Sequence, residues 1–342
     1  MSLYRAAIIG CGRAVSTTAV SEGQAIAYHH ASGYQAVEGV QLVAAADIDR
    51  GNLEAFAGRF GVTATYTDYR QMLEQERPDL VSICTWPGLH AEMVVSAAEA
   101  GVRGILCEKP MALGLGEADR MLAACAQHGA ILYISHQRRL IRPWTIAREW
   151  LYEGKIGQLR RIDAWIENWD LLSYGTHWID MCFYLLKDAP ARWVFAQCDF
   201  TGQQRRYAHP VEDRSLTMIG FDDGVTALLH IAPEVRGAGI CLVGSEGQMV
   251  IRDGMPAPQL ISSHQPPAAQ GDSVAFDDGY SAIIQDLMAA MKVGHGLQVE
   301  GLHGRKATEV IMAAYASSID RQLITLPYQN PEFPLTTYFA RA

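Results

Sequence analysis

The chain has 342 residues, 49% of them apolar and 19% charged, with a net charge of −9. Such a balance excludes a disordered or fibrous chain and leaves room for two domains around large cores. The acidic surplus excludes the concentrated basic footprint that nucleic acid demands, and no apolar run is long enough to predict a membrane span or a secretion signal.

In chain order, the first third alternates short apolar strands with helical segments. Strands are predicted over Tyr4–Ile9, Val40–Ala46, 80–84, Gly104–Cys107 and Ile131–Ile134. Helices fall at 53–60, at Tyr69–Glu76 behind the N-cap residue Asp68, at 91–100 before Gly101, and at 116–127. This alternation predicts a doubly wound parallel sheet in an α/β domain spanning residues 1–135. From residue 136 the pattern changes. A helix ends at 148–153, and alternating stretches follow at 159–166, 193–200, 216–221, 225–231, 240–243 and 248–251. Asp222-Asp223-Gly224 and Ser245-Glu246-Gly247 read as hairpin turns. The second domain, 136–342, is therefore expected to be α+β with an open, mostly antiparallel mixed sheet. A loop at 256–271, helices at 280–291 and 305–321, and an extended tail from Pro327 complete it.

The seven cysteines are odd in number, scattered, and never spaced C-x-x-C. They predict neither a disulfide framework nor a zinc site, and reduced thiols of this kind suit the cytoplasm. No metal is expected.

The cofactor signal starts at Gly10-Cys11-Gly12-Arg13, directly after the first strand. Gly10 suits a tight turn, and Gly12 allows a pyrophosphate to approach the backbone at a helix N-terminus. The third glycine of G-x-G-x-x-G is missing, since residue 15 is Val. Asp47 and Ile48 end the second strand, where a carboxylate accepts both ribose hydroxyls of NAD and repels the 2′-phosphate of NADP. Asp47 lies 35 residues beyond Gly12 instead of roughly 20, and the surplus between Val15 and His29 reads as an inserted loop. A plain strand–helix turn with a solvated aspartate is the alternative reading. At the end of a later strand stands Cys107-Glu108-Lys109-Pro110, a charged pair where α/β proteins place their ligands.

Together these residues resemble the Gfo/Idh/MocA family, the relatives of glucose–fructose oxidoreductase and inositol dehydrogenase. Glu108-Lys109-Pro110 is similar to its E-K-P motif. Thr85-Trp86-Pro87-Gly88-Leu89-His90 resembles its T-P-x-x-x-H element, with Trp86 in the proline position. Gly154-Lys155-Ile156-Gly157 resembles its G-x-I-G turn, Gly175-Thr176-His177-Trp178-Ile179-Asp180 its G-x-H-x-x-D helix, and Gly244-Ser245-Glu246-Gly247 its late hairpin. The resemblance implies a Rossmann domain holding NAD, in preference to NADP, through Gly10, Gly12, Arg13, Asp47, Ile48, Thr85, Trp86, His90, Glu108 and Lys109. It also implies an open sheet that often makes homo-oligomers (dimers or tetramers), and sugars, sugar acids or polyols as substrates. Lys109 and His177 are then the catalytic pair. Imidazole titrates near neutrality and suits removal of a hydroxyl proton, and an ammonium stabilises a developing alkoxide.

One departure from the family pattern is Ser173, which stands where family dehydrogenases carry an Asp four residues before the His. Serine supplies no charge there, and Asp170 and Tyr174 are the nearby groups of comparable chemistry. Asp180 reads as orienting. Arg138 and Arg139 are candidates for an anionic or hydroxyl-rich substrate, or else solvated charges. Trp165, Glu167, Trp169 and Tyr174 are candidates for sugar contacts, or else core. The leading expectation is an NAD-dependent dehydrogenase acting on CH–OH groups. The alternatives are a glycoside hydrolase that uses NAD as a transient shuttle, and a non-catalytic nucleotide-binding protein.

Overall fold

Short runs of small and branched apolar residues, each closed by a helix N-cap or a glycine, set the architecture of the N-terminal part. The computed structural model describes residues 3–12, 26–201, 204–222, 224–261 and 279–341. The chain forms two compact units, residues 1–137 with 278–304 and residues 138–277 with 305–342.

In the first unit β1 (Tyr4–Ile9), β2 (Val40–Ala46), β3 (Ala64–Tyr66), β4 (Leu80–Ile83), β5 (Gly104–Cys107) and β6 (Ile131–Ile134) make one sheet in the order β3-β2-β1-β4-β5-β6. Every pair is parallel, and β1 lies between β2 and β4. That position is the switch point at which such sheets bind ligands beyond the strand C-termini. The helices are α1 (Ile26–Ala36), α2 (Arg50–Phe60), α3 (Tyr69–Glu76), α4 (Pro87–Glu99) and α5 (Leu115–His128). Asp49 and Asp68 cap α2 and α3 by accepting from Asn52 N and Arg70 N, both at 2.9 Å. The core between sheet and helices is aliphatic, built on Ala7, Ile9, Val81, Ile83, Ile105 and Val94, all buried.

The second unit has α6 (Arg142–Tyr152), β7 (Leu159–Glu167), α7 (Thr176–Leu185), β8 (Ala191–Asp199), β9 (Arg205–Arg206), β10 (His209–Pro210), β11 (Arg214–Phe221), β12 (Thr226–Ala232), β13 (Ala238–Gly244), β14 (Gln248–Arg252) and β15 (Gln259–Ile261). After α8 (Tyr280–Val293) come α9 (Gly301–Asp320), β16 (Ile324–Thr325) and α10 (Pro334–Arg341). Eight strands order as β15-β14-β13-β7-β12-β11-β8-β16. All neighbours are antiparallel except β7 and β12, so the sheet is mixed. Alternation gives it one buried face, with Ile162, Ala164, Ile166, Leu229 and Ile231, and one open face, where Phe195, Leu216 and Met218 are exposed. All ten residues of α7 are buried.

Four expectations need amending. Helix α8 belongs to the first unit, not to a second domain running from 136 to 342. Its Tyr280 and Ile284 come so close to α1 that a Cβ on Gly33 would lie 2.9 Å from Ile284 Cδ1, a contact no local pattern announces. Helix α1 starts at Ile26, inside the stretch read as an inserted loop; residues 13–25 of that stretch lie outside the described residues. The predicted loop at 256–271 contains β15 as far as Ile261, and its remainder is outside the described residues. The tail is not extended throughout. Pro334 opens α10, which buries Leu335 and sets Phe339 against Phe200 with ring centroids 6.2 Å apart.

Candidate active site

In the first unit the turn after β1 is shaped by its neighbours. Gly10 has φ 86°, and a Cβ there would sit 2.7 Å from Thr85 Cγ2 and 3.0 Å from the Cys84 backbone, so any side chain would be strained. A Cβ on Gly12 would lie 2.3 Å from Asn52 Nδ2 and 3.3 Å from Asp47 Oδ2. Between them Cys11 N donates to Asp47 Oδ2 at 2.7 Å, and Asp49 N donates to Asp47 Oδ1 at 2.8 Å. The result is a cradle of bare backbone beside a carboxylate fixed by two amides. These groups fit a dinucleotide: bare backbone for a pyrophosphate, an anchored acceptor for ribose hydroxyls, and a fixed negative charge opposed to a 2′-phosphate. Ile48 is 93% exposed next to them. Arg13 lies outside the described residues.

Across the switch point, Thr85 and Trp86 form the turn into α4. Thr85 is half-buried, and Trp86 is exposed. His90 is turned inward instead of toward a ligand. It is fully buried, with Nδ1 2.9 Å from Pro110 O and Nε2 3.0 Å from Thr85 O, so it ties two strand-end turns together. Burial lowers its pKa and favours the neutral ring.

Glu108 is likewise internal. Its Oε1 lies 2.9 Å from His30 Nε2 and accepts from Tyr280 OH at 3.3 Å, while Oε2 accepts from Lys109 N at 3.2 Å. Burial acts to raise its pKa; His30, Lys109 and Ser135 more than offset this and bring it to about 2. Lys109, the next residue, is half-buried, and its peptide bond to Pro110 is cis. The E-K-P motif therefore divides its labour: an ionised carboxylate inward, an ammonium-bearing residue at the strand end.

In the second unit Asp170 accepts from Ser173 N at 2.6 Å and so caps the π-helical turn Leu171–Gly175, which runs straight into α7. Leu171 N donates to Glu212 Oε1 at 2.7 Å, and Tyr315 OH donates to Glu212 Oε2 at 2.7 Å. His177 lies in the first turn of α7, 5% exposed, and its ring meets Tyr174 edge-on at 5.7 Å. Ser173 is fully buried. Asp170 is no substitute for the missing family carboxylate, because it too is fully buried, committed to its cap and to an ion pair with Arg206 Nε at 2.7 Å.

Neither arginine predicted to meet substrate is available. Arg138 pairs with both oxygens of Asp253, at 2.6 and 3.0 Å, and lies 4.5 Å from the Trp178 ring centroid. Arg139, 2% exposed, grips Asp180 through Nε and Nη2 and adds Asp188 at 2.8 Å. Asp180 is thus one end of a buried ion pair. Tyr174 accepts from Arg138 at 2.9 Å, donates to Asp253, and stacks on Trp169 at 5.1 Å. Burial, first among its causes, holds its pKa up at about 12, which removes it as a general base near neutrality.

Trp165 and Glu167 do not join His177. They alternate with the inward-facing Ile166 on β7, whereas Gly175 packs against Ile231 on the buried face, where a Cβ would meet its Cδ1 at 3.2 Å. Trp165 instead lies over Gly239 on the open face, and Glu167 accepts from Gly237 N at 2.6 Å. Sequence reasoning missed His30, Ser82, Tyr34 and Tyr280 altogether. The one available signal is the spacing of His30 and Tyr34, four residues apart and so on one helix face.

Residues 4–136 match GFO_IDH_MocA, described as an oxidoreductase family with an NAD-binding Rossmann fold. The chain is 24% identical to D-apiose dehydrogenase of Paraburkholderia graminis over 98% of its own length and 92% of that protein. It is 27% identical to D-glucoside 3-dehydrogenase of Escherichia coli over 65% and 68%. The solved structure of levoglucosan dehydrogenase with NADH superposes with a TM-score of 0.80 at 21% identity, over 96% of this chain and all of that one, which shows the shared fold. The E-K-P corner, the switch-point glycines and these matches agree: residues 4–136 match the NAD-binding Rossmann fold of the Gfo/Idh/MocA oxidoreductases, and the relatives over the longer span support an oxidoreductase of that kind.

Proposed function

We infer that this protein is an NAD-dependent dehydrogenase acting on a hydroxyl or keto group of a sugar, sugar acid or polyol. The observation that carries this reading is the glycine cradle beside Asp47 at the same sheet end as Lys109. The relatives named above are dehydrogenases of apiose and of glucosides, which supports a carbohydrate substrate. Bound NAD supplies the hydride acceptor, or the donor in the reverse direction.

In this reading the Gly10–Gly12 backbone binds the pyrophosphate, Asp47 accepts from the ribose hydroxyls, and Ile48, Thr85 and Trp86 flank the cofactor. Lys109 places positive charge at the reacting oxygen and makes its proton easier to remove. The His177 imidazole takes that proton. Arg138 and Asp253 fix Tyr174, which offers a ring face, and not a charge, to substrate. We also propose a cytoplasmic homo-oligomer. All seven cysteines are free thiols, which suits a reducing compartment. The exposed Phe195, Leu216 and Met218 give the open sheet face an apolar patch of the kind that subunits bury; light scattering should report a dimer or tetramer.

The test is a panel of free sugars, polyols and aryl glycosides incubated with protein and NAD, followed separately for absorbance at 340 nm and for released phenol. Growth at 340 nm with a free sugar or polyol is expected. Phenol release without NADH would favour a glycosidase, and silence in both channels a non-catalytic nucleotide binder.

A further inference from the structure

Four buried polar side chains of the first unit come from three elements and converge on the residue before Lys109. They are His30 and Tyr34 of α1, Ser82 of β4 and Tyr280 of α8, each at most 3% exposed. His30 Nε2 lies 2.9 Å from Glu108 Oε1, His30 Nδ1 lies 2.9 Å from Ser82 Oγ, and Ser82 Oγ lies 2.8 Å from Tyr34 OH. The Tyr280 ring packs on His30 with centroids 4.7 Å apart.

We propose that His30 is a positioning residue for Lys109, held as the neutral tautomer protonated on Nε2, so that Glu108 presents a full negative charge to the Lys109 ammonium.

A count of protons along the chain selects this state. Nε2 faces a carboxylate and must donate. With Nδ1 unprotonated, Tyr34 donates to Ser82, Ser82 donates to Nδ1, and every proton has an acceptor. An imidazolium would donate from Nδ1 to Ser82 and turn the Ser82 proton onto the Tyr34 oxygen. The Tyr34 proton would then have no acceptor among the described residues, at a position 1% exposed, and an unmet buried donor is costly. The thiols of Cys84 and Cys107 also act on this carboxylate. Burial, and then Glu108 itself, push both well above the ordinary thiol range, so they stay neutral. The neighbouring Lys109 cation favours the ionised Glu108, and the Lys109 amide, donating to Glu108 Oε2, ties the backbone to the same group.

The inference rests on the reading of Lys109 as the charged group of the reaction, but its first two tests need no turnover. Histidine-selective 15N labelling with two-bond 1H–15N correlation at pH 7.5 reads the tautomer in the wild-type protein, and His30→Phe identifies the signal by removing it. The expected pattern is neutral and Nε2-protonated; an imidazolium or an Nδ1-protonated ring overturns the proposal. The chain has five lysines, which simplifies a 13C-dimethyllysine titration. Glu108→Gln should lower the Lys109 midpoint by about one unit or more, as loss of a close opposite charge requires; an unmoved midpoint overturns the proposal. Given a substrate, His30→Phe should lower kcat by about tenfold or more with the Kd for NAD within twofold, and His30→Gln, which keeps a donor, should recover most of it. Full kcat in His30→Phe would contradict the positioning role. If the wild-type protein turns over nothing, the functional reading fails while the tautomer and the lysine titration still decide this one.

Discussion

The Glu108–Lys109 corner of the first unit and the Asp170–His177 turn of the second both put a candidate catalytic residue next to buried charge, but on opposite plans. At the corner, one carboxylate collects donors from α1 and α8 and from the amide of the lysine beside it. At the turn, charges are committed to ion pairs: Arg138 with Asp253, Arg139 with both Asp180 and Asp188, Asp170 with Arg206. A network of donors around one carboxylate fixes that charge at a chosen place. A set of ion pairs delivers shape and commits its charges to one another. On the proposed reading, the difference gives electrostatic work to Lys109 and geometric work to the elements around His177.

Substitutions separate the two plans. The largest effect belongs to Lys109→Ala, which should lower kcat about a thousandfold in protein that scanning fluorimetry shows still to be folded. Arg139→Leu should do the reverse. It strands the fully buried Asp180 and should cost about 3–5 kcal/mol in denaturant unfolding, whereas any activity of the folded fraction should persist. A normal unfolding midpoint would show that the pair carries no structural load.

A smaller effect is expected at Asp47. Removing this anchored acceptor in Asp47→Ala should weaken NAD by about 10- to 100-fold and narrow the preference over NADP, as measured by the two dissociation constants. The smallest effect is a pH trend. Burial, then the neighbouring Asp170 charge, push the Glu212 carboxyl up to about 7. An acid raised in the folded state contributes stability that is complete below its unfolded pKa and is lost as pH rises through the folded value. The wild-type melting temperature should therefore fall by about 2–4 °C between pH 5 and 8 relative to Glu212→Gln. Parallel profiles for the two proteins would remove Glu212 as the source.

Most of the parallel sheet was legible because its strands are apolar runs that end at chemically distinctive residues, Gly10, Asp47, Thr85 and Lys109. Local chemistry and position sufficed there. Helix α1 was not legible: His29, His30 and Gly33 interrupt any apolar stripe, and the preceding Ser/Thr/Ala/Gly-rich stretch reads as loop. The roles of Arg138 and Arg139 were misread because their partners are far away in the chain, Asp253 at 115 positions and Asp180 at 41. Trp165 and Glu167 were misplaced by alternation, which shows that two faces exist but not which one α7 covers. Glu108 was read as facing the cofactor because its motif is local, whereas the donors that turn it inward, on α1 and α8, lie 78 and 172 positions from it.

If the strand-end cradle and Lys109 together run NAD-linked oxidation of a carbohydrate hydroxyl, NADH and carbonyl product form in equal amounts. The most direct measurement is the ratio of NADH formed to carbonyl product formed, with wild type and Lys109→Ala side by side on the sugar and polyol panel. One NADH per carbonyl is expected for the wild type on at least one substrate, and almost none for the variant. Product without NADH, or equal yields from the two proteins, would contradict it.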